Sequence, residues 1–221
     1  FRIEKDFNNI IYGKDIDLYC NRIKCYNPLT NETLKKMADD IPDVAKDILP
    51  DQKLDCVAYG CTSGTIAAGY QSIFEKVNSV KPNTKVTTPI TSAINAMKSL
   101  NIKKISIFTP YTNEINQSVI DYFKKEKIEI SELSYFDIAS DLDIGKVDSQ
   151  YLFDALSKID ISKSDALFVS CTALPVLSII AELEKKINKV VLSSNQTLIW
   201  DTFKEINYNN KVEGFGELFN N

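Results

Sequence analysis

Two cysteines stand where a thiol could do chemistry. Cys61, in VAYGCTSGT, and Cys171, in LFVSCTALPV, each close an apolar run and are followed by Thr and then a helical stretch. A strand that passes through a turn into a helix delivers its last side chains to the carboxyl end of the sheet, where open α/β sheets bind ligands. The unpaired N–H groups at the helix start attract an anion and favour a thiolate, so at least one of the two thiols is expected to titrate below the ordinary value. The competing reading is that each is a small buried hydrophobe, as free cysteines often are. Gly60 and Gly64 beside Cys61, and the repetition of the pattern at Cys171, argue for function. Two thiols at matching places can face one cleft and hold a substrate carbon between a thiolate and a thiol.

The neighbours of the thiols are polar in a useful way. Thr62, Ser63 and Thr172 can offer hydroxyl and backbone N–H groups to a substrate carboxylate, and they are also ordinary helix caps. Tyr111 and Thr112, in FTPYT, end another strand at the same edge, where a phenol either meets a ligand or lies in an exposed loop. Asn195 ends the strand VVLSS and opens a helix, as a cap or as a neutral donor over an anion. Cys20, Cys25 and Cys56 form x4 spacings that invite a metal reading, but residues five apart on a strand point to opposite faces, so packing is the expected role.

Composition narrows the chemistry further. The 221 residues contain no histidine, which removes Ser-His and Cys-His dyads and His-ligated metals, and leaves proton transfer to Cys, Asp, Glu, Lys or Tyr. No GxGxxG or P-loop is present among only seven glycines, so no nucleotide cofactor is indicated. A net charge of −4 with interspersed signs offers no surface for nucleic acid, and no apolar run approaches a membrane span of about 20 residues. Five cysteines, an odd number in a chain long enough to build a core, fit a reducing compartment, and a cytoplasmic location is expected.

The elements that must position these residues follow an α/β pattern. Runs such as DIDLYCNRI, LDCVAYG, TKVTTPI, KKISIFTP, IEISELSYF, SDALFVS and NKVVLSS alternate with helical stretches, which predicts parallel sheets with crossover helices. Two stretches align with each other: LDCVAYGCTSG, a helix and TKVTTPI match SDALFVSCTAL, a helix and NKVVLSS. The thiols are thus 110 positions apart, half the chain. The division expected is a first half over residues 1–90 plus 196–221, carrying Cys61, and a second over 91–195, carrying Cys171. Ahead of its Cys-Thr the second copy has one strand more than the first, so a first strand is expected to be missing before Phe1.

MADD, VAYGCTSGT, TPIT, TPYT, SCTALP and SNQ followed by Trp200 together resemble the aspartate/glutamate racemase superfamily, in its maleate isomerase, arylmalonate decarboxylase and ectoine-utilization branch, over about Leu34 to Trp200. The resemblance implies two pseudosymmetric, flavodoxin-like halves with a small carboxylate substrate buried between them and no metal or organic cofactor. It marks Cys61 and Cys171 as the catalytic pair and favours Thr62, Ser63, Tyr111, Thr112, Thr172 and Asn195 as substrate contacts. The implied activity is racemisation or cis-trans isomerisation next to a carboxylate, with a non-catalytic carboxylate-binding or accessory protein as the alternative, and a homodimer is left open. One departure stands out. Where maleate isomerases look like having Asn-Leu-x-Ile-Gly, this chain reads Asp141-Leu142-Asp143-Ile144-Gly145. A carboxylate there is expected either to draw a substrate cation and repel a second anion, or to sit on a loop turned away from the cleft.

Overall fold

The computed structural model describes residues 2–220. The chain begins with α1 (Arg2–Ile11), which buries Asp6, Phe7, Ile10 and Ile11 along one face. Residues 12–30 form no helix or strand, and Thr30 then opens α2 (Asn31–Met37) through a capping box with Thr33. After a 3-10 turn comes α3 (Ile41–Lys46), with Pro42 in its first turn. The first thiol-bearing unit is β1 (Cys56–Ala58), α4 (Thr62–Ala68), α5 (Tyr70–Asn78) and β2 (Lys85–Thr87). α6 (Pro89–Ser99) leads to β3 (Lys104–Thr109), α7 (Asn113–Lys125) and β4 (Glu129–Tyr135). The second thiol-bearing unit follows the short helix α8 (Asp141–Ile144) and α9 (Ser149–Leu156). It consists of β5 (Ala166–Val169), α10 (Ile180–Ile187) and β6 (Val190–Ser193), and α11 (Ser194–Glu205) leads away from it.

All strand pairings are parallel, in a two-stranded sheet β1-β2 and a four-stranded sheet β4-β3-β5-β6. The aligned segments therefore pair alike: the strand before Cys61 lies beside the Lys85 strand, and the strand before Cys171 beside the Lys189-Val190 strand. β5 is buried at all four positions, as an unbroken Ala-Leu-Phe-Val run in a sheet covered on both faces should be.

The helices that follow the two paired strands, α6 and α11, pack on each other and join the halves. Ala93 and Ala96 are fully buried on α6, and their small side chains let the helices approach. Asp201 of α11 accepts hydrogen bonds from Ser92 Oγ at 2.8 Å and Asn95 Nδ2 at 3.1 Å. Burial raises the Asp201 carboxyl above its ordinary range, and these donors offset part of that.

Three expected elements differ from the structure. DIDLYCNRI is not a strand, because extended backbone becomes sheet only with a partner, and the edge of β1 facing away from β2 carries none among the described residues. Cys20, expected to pack, is exposed on that segment. Pro175 suits a first helical turn, but the helix after Cys171 starts only at Ile180, after a turn.

The stretch SGTIAAGYQSIFEKV has helical composition throughout yet forms two helices, divided at Gly69 (φ 83°, ψ 139°), whose N–H donates to Thr65 O at 2.9 Å and closes α4. A side chain at Gly69 would meet nothing within 4 Å, so a substitution costs backbone strain alone. Gly69→Ala is expected to destabilise the chain by about 1–3 kcal/mol, read as a lower urea midpoint with an unchanged slope.

Candidate active site

Cys61 is the N-cap of α4, in extended backbone, with its Sγ accepting from Gly64 N–H at 3.3 Å and 3.9 Å from Ser63 Oγ. Cys171, two residues past the end of β5, has a left-handed conformation (φ 96°), which costs a residue with a Cβ about 1–3 kcal/mol and must be held by its surroundings. Its Sγ accepts from Ala173 N–H at 3.4 Å, and the Tyr111 hydroxyl lies against the same sulfur. Cys61 is near enough to Cys171 for its ionisation to disfavour that of Cys171.

The hydroxyls beside the thiols stitch the two turns together. Thr62, following Cys61, donates to Ser194 Oγ at 2.8 Å, and that same oxygen accepts the Cys171 N–H at 3.0 Å. In return Thr172, following Cys171, donates to Gly60 O at 2.9 Å, immediately before Cys61. Each Cys-Thr turn thus grips the other half of the molecule, and the grip on Cys171 N–H falls on the strained residue itself. The Thr62 and Thr172 hydroxyls, expected to face substrate, spend their protons on these braces.

The remaining expected residues divide. Ser63 and Tyr111 are buried at the sulfurs, Ser63 beside Cys61 and Tyr111 beside Cys171. Thr112 caps α7 through its backbone conformation, with no side-chain cap hydrogen bond. Asn195 is buried one residue into α11. Its Nδ2 donates to Thr172 O at 3.1 Å and to Asp6 Oδ2 at 2.6 Å, and its Oδ1 has no protein partner. Asp141 does not turn outward. Half-buried at the start of α8, it lines a groove of about 810 Å³ together with Cys61 and Thr172, while Leu142 takes the exposed side of the turn. Cys25 lines the groove as well.

The thiol acidities overturn an expectation. Burial pushes both Cys61 and Cys171 up to about 12, and the backbone N–H donors recover only part of that loss. The Asp141 carboxylate raises both further and ranks higher among the influences on Cys171 than on Cys61. A helix start lowers a thiol's pKa only where its N–H donors outweigh the loss of solvation. Here desolvation prevails, and both groups are neutral thiols at pH 7 until a ligand changes their surroundings.

Two residues of the site, Ser194 and Asp6, were not among those expected from the sequence. Ser194 carried no signal beyond a polar run after a strand. Asp6 was detectable as an acid on the apolar face of α1, one helical turn before Ile10. Burial raises its carboxyl, and the Asn195 hydrogen bond counters this in part.

Two parallel-sheet α/β halves that bring paired Cys-Thr turns to one cleft define a protein of the aspartate/glutamate racemase-like superfamily. The chain belongs to the arylmalonate decarboxylase family, whose model matches residues 10–219. Among curated relatives it is 26% identical over 198 residues to the maleate isomerase of Geobacillus stearothermophilus, spanning 86% of this chain and 78% of that protein. To the maleate isomerase of Alcaligenes faecalis it is 27% identical over 200 residues, spanning 85% and 77%. In fold it is similar to the maleate isomerase Iso from Pseudomonas putida S16, with a TM-score of 0.90 and 21% identity over 99% of this chain and 93% of that one. It is also similar to a Nocardia farcinica maleate cis-trans isomerase mutant with a covalently bound succinylcysteine intermediate, with a TM-score of 0.89 and 17% identity over 99% and 93%.

The braces make a specific demand. Ser194→Ala would leave the buried Cys171 N–H and Thr62 hydroxyl unpaired, and is expected to cost about 2–4 kcal/mol in chemical unfolding, well beyond the effect of the same change at an exposed serine. A loss below about 0.5 kcal/mol would show that the braces do not hold the turns.

Proposed function

We propose that this chain is a cysteine-dependent isomerase that converts a small unsaturated dicarboxylate from cis to trans, with Cys61 as nucleophile and Cys171 as acid. The observation that carries the reading is the reciprocal bracing of the two Cys-Thr turns, Thr62 through Ser194 to the Cys171 N–H and Thr172 to the Gly60 carbonyl, with Cys61 and Thr172 on one groove. The maleate isomerase relatives supply the reaction class.

The roles follow from the surroundings of each sulfur. Cys61 passes its proton to a carboxylate oxygen of the bound dicarboxylate and adds through Sγ to one alkene carbon, assisted by the Gly64 N–H and Ser63, which favour its thiolate, and it recovers that proton when the carbon–sulfur bond later breaks. Asp141 and the Cys61 thiolate keep Cys171 protonated, so its S–H proton goes to the neighbouring carbon. The former double bond is now single and rotates. Cys171 then takes back the proton, the Cys61–carbon bond breaks, and the trans alkene leaves with both thiols as they began. Cys171 thus acts once as acid and once as base, a role its burial in a water-poor turn suits. In this reading Ser63, Thr112, Tyr111 and Asn195 orient the carboxylates, while Thr62 and Thr172 contribute position and backbone.

Asp141 favours a second reading, a substrate with an ammonium group at its far end, since a carboxylate in the groove opposes a second anion. At about 4 Å, partly screened, that opposition is about 1–4 kcal/mol.

Proton NMR in deuterated water distinguishes the two. The first reading predicts loss of the maleate alkene signal and growth of that of fumarate, with Cys61→Ala and Cys171→Ala each reducing the rate by about a thousandfold or more. Asp141→Asn should raise kcat/KM on maleate by about tenfold or more. If maleate is untouched while the α-proton of aspartate or glutamate exchanges with solvent, the second reading replaces the first.

A further inference from the structure

Tyr59 carries a buried hydroxyl with no hydrogen-bond partner, although the residue is only 7% exposed. A buried O–H without an acceptor costs about 1–3 kcal/mol and calls for a reason. Its position supplies one. A methyl group built on Gly64 would stand 2.9 Å from Tyr59 Oη and 2.9 Å from Cys61 Sγ, so phenol oxygen and sulfur converge on the one spot that Gly64 leaves vacant. The same methyl would meet Met37 Cε at 2.8 Å, so the niche is closed by packing on its far side.

The other half of the molecule shows what such a phenol does. Tyr111 lies with its hydroxyl on the Cys171 sulfur and favours the ionised form of that thiol. Tyr59 approaches Cys61 from a different direction, two residues before the thiol on the same turn, with its proton still uncommitted.

We propose that Tyr59 is a positioning residue whose hydroxyl donates to Cys61 Sγ when that thiol ionises, completing a set of three donors with the Gly64 N–H and Ser63. The proposal deepens the assignment of Cys61 as nucleophile and rests on it. Ser63 and Gly64 face the sulfur from α4, Tyr59 from the end of β1, Cys25 from the segment before α2, and Asp141 from α8. Of these, Cys25 and Asp141 oppose ionisation, which leaves Tyr59 as the donor not yet used. Gly64 is then needed for its missing side chain, since any Cβ there would wedge the pair apart.

The test is the rate of Cys61 alkylation by iodoacetamide as a function of pH, followed on the Cys61 and Cys171 peptides by mass spectrometry. Tyr59→Phe is expected to slow Cys61 alkylation by about tenfold at every pH below its titration, with Cys171 alkylation little changed and the urea midpoint unchanged or raised, since the substitution removes an unpaired buried hydroxyl. Replacing Tyr59 with 3,5-difluorotyrosine, a stronger donor of the same shape, should speed it, and this arm stands even if the Phe variant folds poorly. Cys61 profiles that superimpose across parent, Phe and fluorinated proteins would overturn the proposal and reduce Tyr59 to a packing residue. Alkylation needs no turnover, so a protein inactive on maleate that still shows the Tyr59 effect would contradict the isomerase reading and leave this one standing.

Discussion

The exchange of hydroxyls between the two Cys-Thr turns is the constraint on which the site depends. Thr62 reaches through Ser194 to the Cys171 N–H, and Thr172 reaches back to the Gly60 carbonyl, so neither turn can shift without breaking a buried hydrogen bond in the other half. The left-handed backbone of Cys171 persists because this network over-determines it. The helices behind the turns repeat the arrangement on a larger scale: α6 and α11 lie against each other, with Asp201 binding Ser92 and Asn95 between them. Sheet, turn and helix layers thus all fix the two halves to one geometry, and the sulfurs inherit it.

That rigidity sets the electrostatics. Cys171 is buried and Cys61 half-buried at the groove, and in both the loss of solvation outweighs the nearby N–H donors, so the resting site holds two neutral thiols rather than a thiolate ready to react. A resting neutral pair is less exposed to oxidation or stray electrophiles, because the thiolate is the reactive form. It also leaves the ionised state to be stabilised in place, by donors already aimed at the sulfur, which is the arrangement that lowers a barrier without reorganisation. The acidic groups of the cleft work in opposition: Asp141 disfavours a thiolate on either side, and Asp6 is tied to Asn195 behind the Cys171 turn.

Much of this was legible in the residues. The pairing of the strands before Cys61 and Cys171 with their Lys-Val partners follows from the internal match alone, because a duplicated segment folds by duplicated contacts. Asp141 stands out in the sequence by its departure from a motif, and the structure places it on the lining of the groove. What the sequence did not show are effects of distant approach. The Thr62 and Thr172 hydroxyls look like helix-start residues free for a ligand, and their partners lie 132 and 112 positions away. The thiol acidities were misjudged because a helix start is visible in sequence and the depth of burial is not. DIDLYCNRI has the composition of a strand, yet a strand is a relation between two segments, and nothing in one segment reports that its partner is absent.

The central claim is that both sulfurs act on a single small molecule, and bridging them tests it most directly. The full chain treated at mildly alkaline pH with 1,3-dichloroacetone, digested and read by mass spectrometry should yield one product in which a single acetone unit joins the Cys61 peptide to the Cys171 peptide. Separate adducts on Cys61 and Cys171, or a bridge that joins Cys61 only to Cys25, would place the two thiols in different surroundings and contradict the account.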